Sequence, residues 1–306
     1  MFPGPDGVRD HGAMDVSELA PTDWDPATAA ALERIRAESR TADGHDPLDE
    51  AAALRLRHHG LAGARLWLAD DGFALLHDGS LELAVAPTAR GRGLGSALAA
   101  AAAGDAVRAW SHGDHPAAYA LAGRHGLRRA RELWVMRRPA SEPLPQTPSE
   151  PTVRGFRAGD EPELLRVNAA AFADHPEQGA LDEAGLAERM AEPWFDPEGL
   201  LLAEDPTGRL LGFHWTKRHD ERTGEVYVVA IAPDAQGQGL GRTLTLAGLH
   251  HLHGHLSGSE HDDAGGDPSG EVILYVESDN RPARAVYERL GFSHAPADTH
   301  VQYLRP

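Results

Sequence analysis

The stretch from Gly224 to Gly241 constrains the fold more than any other part of the chain. Glu225 to Ala232 is an apolar, β-branched run of strand length. Pro233-Asp234 breaks it, Gly237, Gly239 and Gly241 follow at alternate positions, and Arg242-Thr243-Leu244 opens a helical pattern. A glycine-rich turn leading into a helix exposes backbone N–H groups that no helical carbonyl can take. Those donors and the helix dipole suit a phosphate or pyrophosphate, and the glycines let the backbone come close to it. The unit occurs twice. Leu81 to Val85 is followed by Ala86-Pro87-Thr88-Ala89-Arg90-Gly91-Arg92-Gly93-Leu94-Gly95, with Arg90, Gly93 and Gly95 in the places of Gln236, Gly239 and Gly241. Copies separated by a domain length indicate duplication of a whole domain, not a solenoid.

The length of 306 residues suits two domains, and a hydrophobic fraction of 41% lets each bury a core. A net charge of −18 argues against nucleic acid or an anionic membrane as partner. An anionic ligand then needs a locally basic site or one built from backbone donors. The chain has no cysteine, which excludes disulfides, thiolate metal sites and an acyl-cysteine intermediate, and fits a cytoplasmic protein. No apolar run reaches membrane length and no basic-then-apolar leader opens the chain.

Residues 1–14, rich in Gly, Pro and Asp, read as a disordered extension. The first domain is expected over 15–138. It holds helices at Asp25–Arg40 and Glu50–His59, a hairpin around Asp70-Asp71-Gly72, the strand Leu81–Val85 and an Ala-rich helix from Gly95 to Ala109. A short strand near Arg108–Ser111, a helix near Pro116–His125 and a strand near Leu133–Arg137 complete it. The prolines of 139–151 mark an extended linker. The second domain, 152–306, repeats the order: a strand at Thr152–Arg157, helices at Glu161–Phe172 and Asp182–Glu192, and strands at Leu200–Glu204 and Leu210–Lys217. The central strand, the loop and a helix from Leu240 to His255 follow. Ser257–Gly270 reads as a mobile insertion, and Val272–Val276, Pro282–Leu290 and Thr299–Leu304 close the domain.

The spacing Gln-x-x-Gly-x-Gly after strand-Pro-Asp resembles the coenzyme A pyrophosphate loop of the GCN5-related N-acetyltransferases. The later string Asn280-x-x-Ala283-x-x-x-Tyr287-x-x-x-Gly291-Phe292 resembles that family's second coenzyme wall. The resemblance implies an α/β (α+β) fold of two tandem acetyltransferase domains, each a central mixed sheet flanked by helices. It also implies acetyl-CoA as cosubstrate. Its coenzyme contacts would be Val229, Ala230, Ile231, Gln236, Gly237, Gln238, Gly239, Leu240, Gly241 and Arg242, with Asn280, Arg281, Pro282, Ala283, Arg284 and Ala285. In the first copy they would be Leu83, Ala84, Val85, Gly91, Arg92, Gly93, Leu94, Gly95 and Ser96. In that family the tyrosine, here Tyr287, lies near the acetyl sulfur and can protonate the leaving thiolate.

Amine acetylation needs a neutral amine, a polarised thioester carbonyl and a positioned base. Glu225 opens the central strand, and period-two alternation puts it on one face with Tyr227 and Val229. A backbone N–H within Val229–Ile231 is the expected oxyanion donor. Aligning the loops puts Gly79 at the place of Glu225. Aligning Gly126-Leu127 with Gly291-Phe292 puts Ala122 and His115 at the places of Tyr287 and Asn280. The first copy therefore keeps an anion loop, with Arg90 and Arg92 expected to help hold phosphate, but lacks the candidate base and acid. It is expected to bind coenzyme silently or to be a structural relic. His250-His251-Leu252-His253-Gly254-His255 has one zinc-like spacing but no evident third ligand, so no metal is expected.

Further strings resemble a tandem-domain branch of the family that acetylates the cysteinyl amine of cysteinyl-glucosamine-inositol. They include Leu165-Arg166-Val167-Asn168, His175-Pro176-Glu177-Gln178-Gly179, Pro193-Trp194-Phe195-Asp196-Pro197 and Leu274-Tyr275-Val276-Glu277-Ser278. By that resemblance Glu50, Glu177, Lys217, Glu225 and Tyr275 would contact this small-molecule amine. The chain is expected to act as a monomer. Two alternatives stay open at this point: a tandem acetyltransferase for another amine, and an acyl-CoA-binding sensor without catalysis.

Overall fold

The computed structural model describes residues 16–173, 178–256 and 270–306. The expected extension at 1–14, Glu177 with its neighbours His175 and Pro176, and residues 257–269 of the expected insertion lie outside the described residues. In chain order the elements are β1 (Ser17–Leu19), α1 (Pro26–Asp43), α2 (Glu50–His59), β2 (Ala64–Ala69), β3 (Gly72–His77), β4 (Ser80–Val85), α3 (Leu94–Ala102), β5 (Arg108–Ser111), α4 (Pro116–Arg124) and β6 (Arg128–Pro139). Then come β7 (Thr152–Gly155), α5 (Glu161–Ala171), α6 (Glu183–Met190), β8 (Leu200–Glu204), β9 (Leu210–Arg218), β10 (Thr223–Ile231), α7 (Leu240–Leu256), β11 (Glu271–Glu277), α8 (Arg281–Arg289) and β12 (Ser293–Leu304). No described helix is long and apolar enough to cross a membrane.

Two compact units emerge, residues 1–132 with 299–306 and residues 133–298. In the first unit β1 to β4 form an antiparallel meander, β4 pairs with β5 in parallel, and Val301–Leu304 of β12 pairs antiparallel with β5. In the second, β7 to β10 are antiparallel, β10 pairs with β11 in parallel, and 133–139 of β6 pairs antiparallel with β11. The duplication is thus visible as one strand order used twice. The outermost strands, however, are exchanged in sequence. The strand expected to close the first half is bonded to β11, and Thr299–Leu304, expected to close the second, is bonded to β5. Strand propensity is blind to this choice of partner.

Each sheet is covered on both faces. In the first unit Leu32, Ile35, Ala52 and Leu56 of α1 and α2 pack on Leu66, Phe73 and Leu75, while Leu94 and Leu98 of α3 pack with Ala74, Leu76 and Leu81 on the other face. In the second, Leu164 and Val167 of α5 meet Phe213, Trp215, Val228 and Ala230, and Leu246, Leu249 and Leu252 of α7 meet Val226, Val272 and Leu274. Sequence signals set several helix starts. Asp25, Asp49 and Asp182 each accept a backbone N–H of the first turn they precede. The Ala-rich helix α3 stops at Ala102 instead of reaching Ala109. Gly104 follows, and the N–H groups of Val107 and Arg108 are taken by the carbonyl of Gly79, which pulls the chain into β5.

The proline-rich segment is not a free spacer at its start. Arg138 is buried and its guanidinium donates to the carbonyls of Leu290, Pro139, Glu142 and Pro143. Further along, the His250 ring lies 2.8 Å from the carbonyl oxygen of Pro145. The segment begins as part of the second unit.

A second buried polar group sits where α7 crosses β9. His214 is fully buried, with Nδ1 2.8 Å from the carbonyl oxygen of Leu244. Its Nε2 has no partner among the described residues, and burial pushes the imidazole down to about 4. A Cβ on Gly248 would overlap the His214 ring, so α7 can come this close only with glycine there. Gly248→Ala is expected to destabilise the second unit by about 2 kcal/mol, the overpacking cost exceeding the helix-propensity gain, as read from denaturant midpoints. Because the folded pKa of His214 lies below its unfolded value, the unfolded chain takes up the proton first. Stability is therefore retained above about pH 6.5 and lost progressively towards pH 4, by about 3 kcal/mol in full. His214→Leu is expected to flatten that acid limb in unfolding curves measured across this range.

Candidate active site

The site of the second unit begins where two strands part. The parallel register of β10 and β11 runs from Thr223↔Glu271 to Val226↔Leu274 and then stops, although β10 continues to Ile231 and β11 to Glu277. Val229, Ala230 and Ile231 keep β9 on one side, opposite His214, Phe213 and Gly212, and have left β11 on the other. Backbone released from one ladder in this way is free to receive an extended amide ligand and a developing oxyanion.

At the same place β10 carries a bulge. Val226 faces Thr216 across the ladder and Val228 faces Trp215, so Tyr227 is an extra residue. This corrects the face assignment expected from simple alternation. Val229 turns to the α7 side with Val226, whereas Tyr227, Val228 and Ala230 pack on the α5 side. Glu225 remains on that α5 side, opposite Lys217 of β9.

The loop after β10 has the expected form. Gly237 and Gly239 adopt φ of +77° and +81°, a region side chains avoid, and α7 starts at Leu240. Gln236, Gly237, Gln238, Gly239 and Arg242 are exposed, Gly241 is half-buried, and Leu240 anchors the turn in the core. The N–H groups of the first turn of α7 point out of the helix start, as an anion site requires. Across the opening, Asn280 caps α8 by accepting the N–H of Ala283 at 3.2 Å, so its side-chain carbonyl is already engaged. Arg281 and Pro282 are exposed and Ala285 is half-buried. Arg284 is turned onto the Trp134 ring, 4.0 Å from its centroid, and donates to the carbonyl of Ser278. Tyr287 lies one turn further on, packed with the Val226–Leu274 core and 6.0 Å from the Phe292 ring. Burial pushes its hydroxyl up to about 12, so it stays a proton donor at neutral pH.

The α5 side of the sheet gathers three of the five expected substrate residues. Glu225 is 5% exposed and Lys217 stands directly across from it. Tyr275 of β11, 41% exposed, is two residues beyond Ile273, the partner of Glu225, and so shares its face. The Lys217 ammonium lies over the rings of Trp194 and Tyr227, 4.9 and 5.2 Å from their centroids, a favourable cation–π arrangement. Trp194, Trp215 and Tyr227 contact one another edge to face or tilted, and Arg189 donates to the Tyr227 hydroxyl at 3.0 Å. Sequence reasoning missed His219, whose Nε2 is 2.6 Å from Oε2 of Glu225. The signal was present, since His219 is two residues past Lys217 and therefore diagonal to Glu225 in the hairpin. Glu50 opens α2 in the first unit, and Glu177 lies outside the described residues.

The first unit repeats the parting of strands after two pairs, Ser80↔Arg108 and Leu81↔Ala109. A cleft of about 270 Å³ follows, lined by Leu83, Ala84, Val85, Gly91, Leu94 and Gly95 among others; Arg92, Gly93 and Ser96 are exposed nearby. Arg90 does not reach for a phosphate. Its guanidinium forms a two-pronged pair with Asp43 at 2.7 and 2.6 Å and donates to the carbonyl of Val85. The β3–β4 register is unbroken, so this unit has no counterpart of the Tyr227 bulge. It does hold a chain of titratable groups that positional comparison with Glu225 and Tyr287 overlooked. Glu82 is 3.2 Å from His112, His112 is 3.2 Å from His300, and His300 is 3.3 Å from His45. In the second unit, the His251 and His255 pair acquires the third group that the sequence did not reveal, Asp196, 3.0 Å from Nε2 of His251.

Comparison with known proteins agrees with this geometry. Residues 196–294 match the model of the acetyltransferase (GNAT) domain, which takes in Lys217, Glu225, Tyr275 and Tyr287. Among curated proteins, the mycothiol acetyltransferase of a Nocardioides species is 57% identical over 90% of this chain and 97% of its own. That of Actinosynnema mirum is 49% identical over 91% and 96%. Among solved structures, a GCN5-related N-acetyltransferase from Sphaerobacter thermophilus aligns over 98% of both chains with a TM-score of 0.65 at 24% identity. A tandem GNAT protein from the clavulanic acid biosynthesis pathway aligns over 94% of this chain and 97% of its own, with a TM-score of 0.67 at 20% identity. These two establish a shared fold, and the curated relatives establish more. The chain belongs to the mycothiol acetyltransferase family of GCN5-related N-acetyltransferases.

Proposed function

We propose that this acetyltransferase moves the acetyl group of acetyl-CoA to the cysteinyl amine of 1D-myo-inositol 2-(L-cysteinylamino)-2-deoxy-α-D-glucopyranoside, yielding mycothiol and CoA. The observation that carries this reading is the convergence of Lys217, Glu225 and Tyr275 on one face, beside the end of the β10–β11 ladder. A polyhydroxyl substrate with an ammonium needs several hydroxyl and carboxylate partners, and these groups supply both.

In this reading the coenzyme enters the gap between β10 and β11, with its pyrophosphate on the Gln236–Arg242 turn. Glu225, hydrogen-bonded to His219, first takes a proton from the substrate ammonium and passes it to solvent, and then takes the second proton from the neutral amine nitrogen as it attacks. A new C–N bond forms at the thioester carbon while its oxygen takes up negative charge near the backbone of Val229–Ile231. The C–S bond then breaks, and the leaving thiolate receives the Tyr287 proton. Lys217, held over Trp194 and Tyr227, serves as a fixed cation for substrate hydroxyl and amide oxygens. The same reading takes the enzyme to be a cytoplasmic monomer.

Glu225→Gln is expected to lower kcat by about 10²–10⁴ while acetyl-CoA affinity stays within a few fold, measured by steady-state kinetics and by calorimetry. Turnover at the wild-type rate would remove Glu225 as the base. Tyr287→Phe is expected to slow transfer by about 10²-fold with little change in substrate KM. An unchanged kcat would make Tyr287 a packing residue. The substrate itself is tested by offering the purified protein acetyl-CoA with the pseudodisaccharide and a panel of simple amines. Coenzyme binding without acetylation of the pseudodisaccharide would overturn the assignment.

A further inference from the structure

The described residues hold two groups with metal-ligand chemistry outside the transfer site. The group in the second unit, Asp196 with His251 and His255, is open to solvent at His255, and Asp196 already occupies Nε2 of His251. The group in the first unit is more enclosed, with His77 and Glu82 buried and Asp49 half-buried. Asp49, His77 and Glu82 each offer one ligand atom, and these atoms lie within 4.8 Å of one another.

Three observations single out this group. The Glu82 side chain is fully buried, and a carboxylate in such a place needs compensating charge. His112 supplies part of it from one side at 3.2 Å. His77 is 7% exposed, and its Nε2 has no hydrogen-bond partner among the described residues. Its other nitrogen lies 3.9 Å from Asp78, so Nε2 is the atom left for a ligand. Asp49 uses one carboxylate oxygen to cap α2, accepting the N–H of Ala52 at 2.7 Å, and keeps the second.

We propose that Asp49, His77 and Glu82 bind one divalent cation of the zinc class within the first unit. One neutral imidazole and two carboxylates balance the cation's charge and match the nitrogen and oxygen donors such ions accept. Bonds of about 2.0–2.2 Å put neighbouring ligand atoms about 3.0–3.5 Å apart, so a contraction of at most about 1.3–1.8 Å closes the site. All three ligands stand on regular elements. In the β3–β4 register Leu75 pairs with Glu82 and His77 with Ser80, so His77 and Glu82 are diagonal on one face, and Asp49 reaches them from the start of α2. His112 on Glu82 and the α2 backbone on Asp49 act as outer supports of the kind metal ligands use. The cation clamps the first turn of α2, where Glu50 sits, onto β3 and β4. The inference rests on no step of the proposed transfer.

The test uses the full chain, stripped with a chelator and titrated with Zn²⁺ by calorimetry and with Co²⁺ by visible absorption. One Zn²⁺ per chain is expected in the wild type, with a rise in Tm. His255→Gln is expected to keep that site and the Tm rise. His77→Gln is expected to lose both, and Asp49→Asn to weaken binding at least tenfold, which keeps the test available if His77→Gln does not fold. No uptake by the wild type, or a site lost in His255→Gln and kept in His77→Gln or Asp49→Asn, would overturn the proposal.

Discussion

One extra residue in β10 governs the architecture of the second unit. A strand in a sheet covered on both faces must send alternate side chains to opposite sides, and every side chain after an insertion changes side. With Tyr227 as the added residue, Val226 and Val229 both feed the core under α7, while Glu225 and Val228 both face α5. The insertion falls where β10 and β11 stop pairing. Bulges bend and twist the strand that carries them, so the same residue that re-aims the side chains also helps open the ladder. The carboxylate of Glu225, the aromatic cage and the gap in this sense meet at one irregularity. The first unit, with the same strand order and an unbroken β3–β4 register, has no such combination.

Polar groups removed from water do much of the positioning. Arg138 collects four carbonyl acceptors and so fixes both the end of β6 and the turn after α8. His214 holds α7 at the one distance at which its ring fits over Gly248. Glu225 is paired with His219, and Lys217 is seated on aromatic faces, so neither charged group of the site is left to wander. The turn before α7 offers backbone amides, which carry no titratable charge and need no counterion.

Much of this was legible in the sequence, for definite reasons. Helix α2 runs from Glu50 to His59 as read, since Asp49 caps it and Gly60 ends it. The loop from Gln236 to Gly241 was legible because positive φ demands glycine. Local rules failed where a distant partner decides. No alternation pattern announces the Tyr227 bulge, and alanine runs cannot say that Gly79 will capture Val107. The line from Glu82 through His112 and His300 to His45 joins residues from opposite ends of the chain, beyond any motif. Arg90 looked like a phosphate ligand until the position of Asp43 was known. His219, by contrast, could have been inferred from the hairpin register alone.

The exchange of outer strands has a consequence for how the protein is made. β5 of the first unit finds its outer partner in Val301–Leu304, and the second unit takes its outer strand from 133–139. During synthesis the first unit therefore emerges from the ribosome with β5 as an uncovered edge. It stays so until some two hundred further residues have been delivered and the second unit has been threaded through its own order of strands. Vectorial folding from the amino terminus, the usual habit of tandem domains, cannot finish the first unit until its last strand arrives, whereas the second unit is one continuous segment, 133–298. Cutting the chain at its proline-rich segment would not yield two smaller proteins, because each fragment would carry away a strand that belongs to the other.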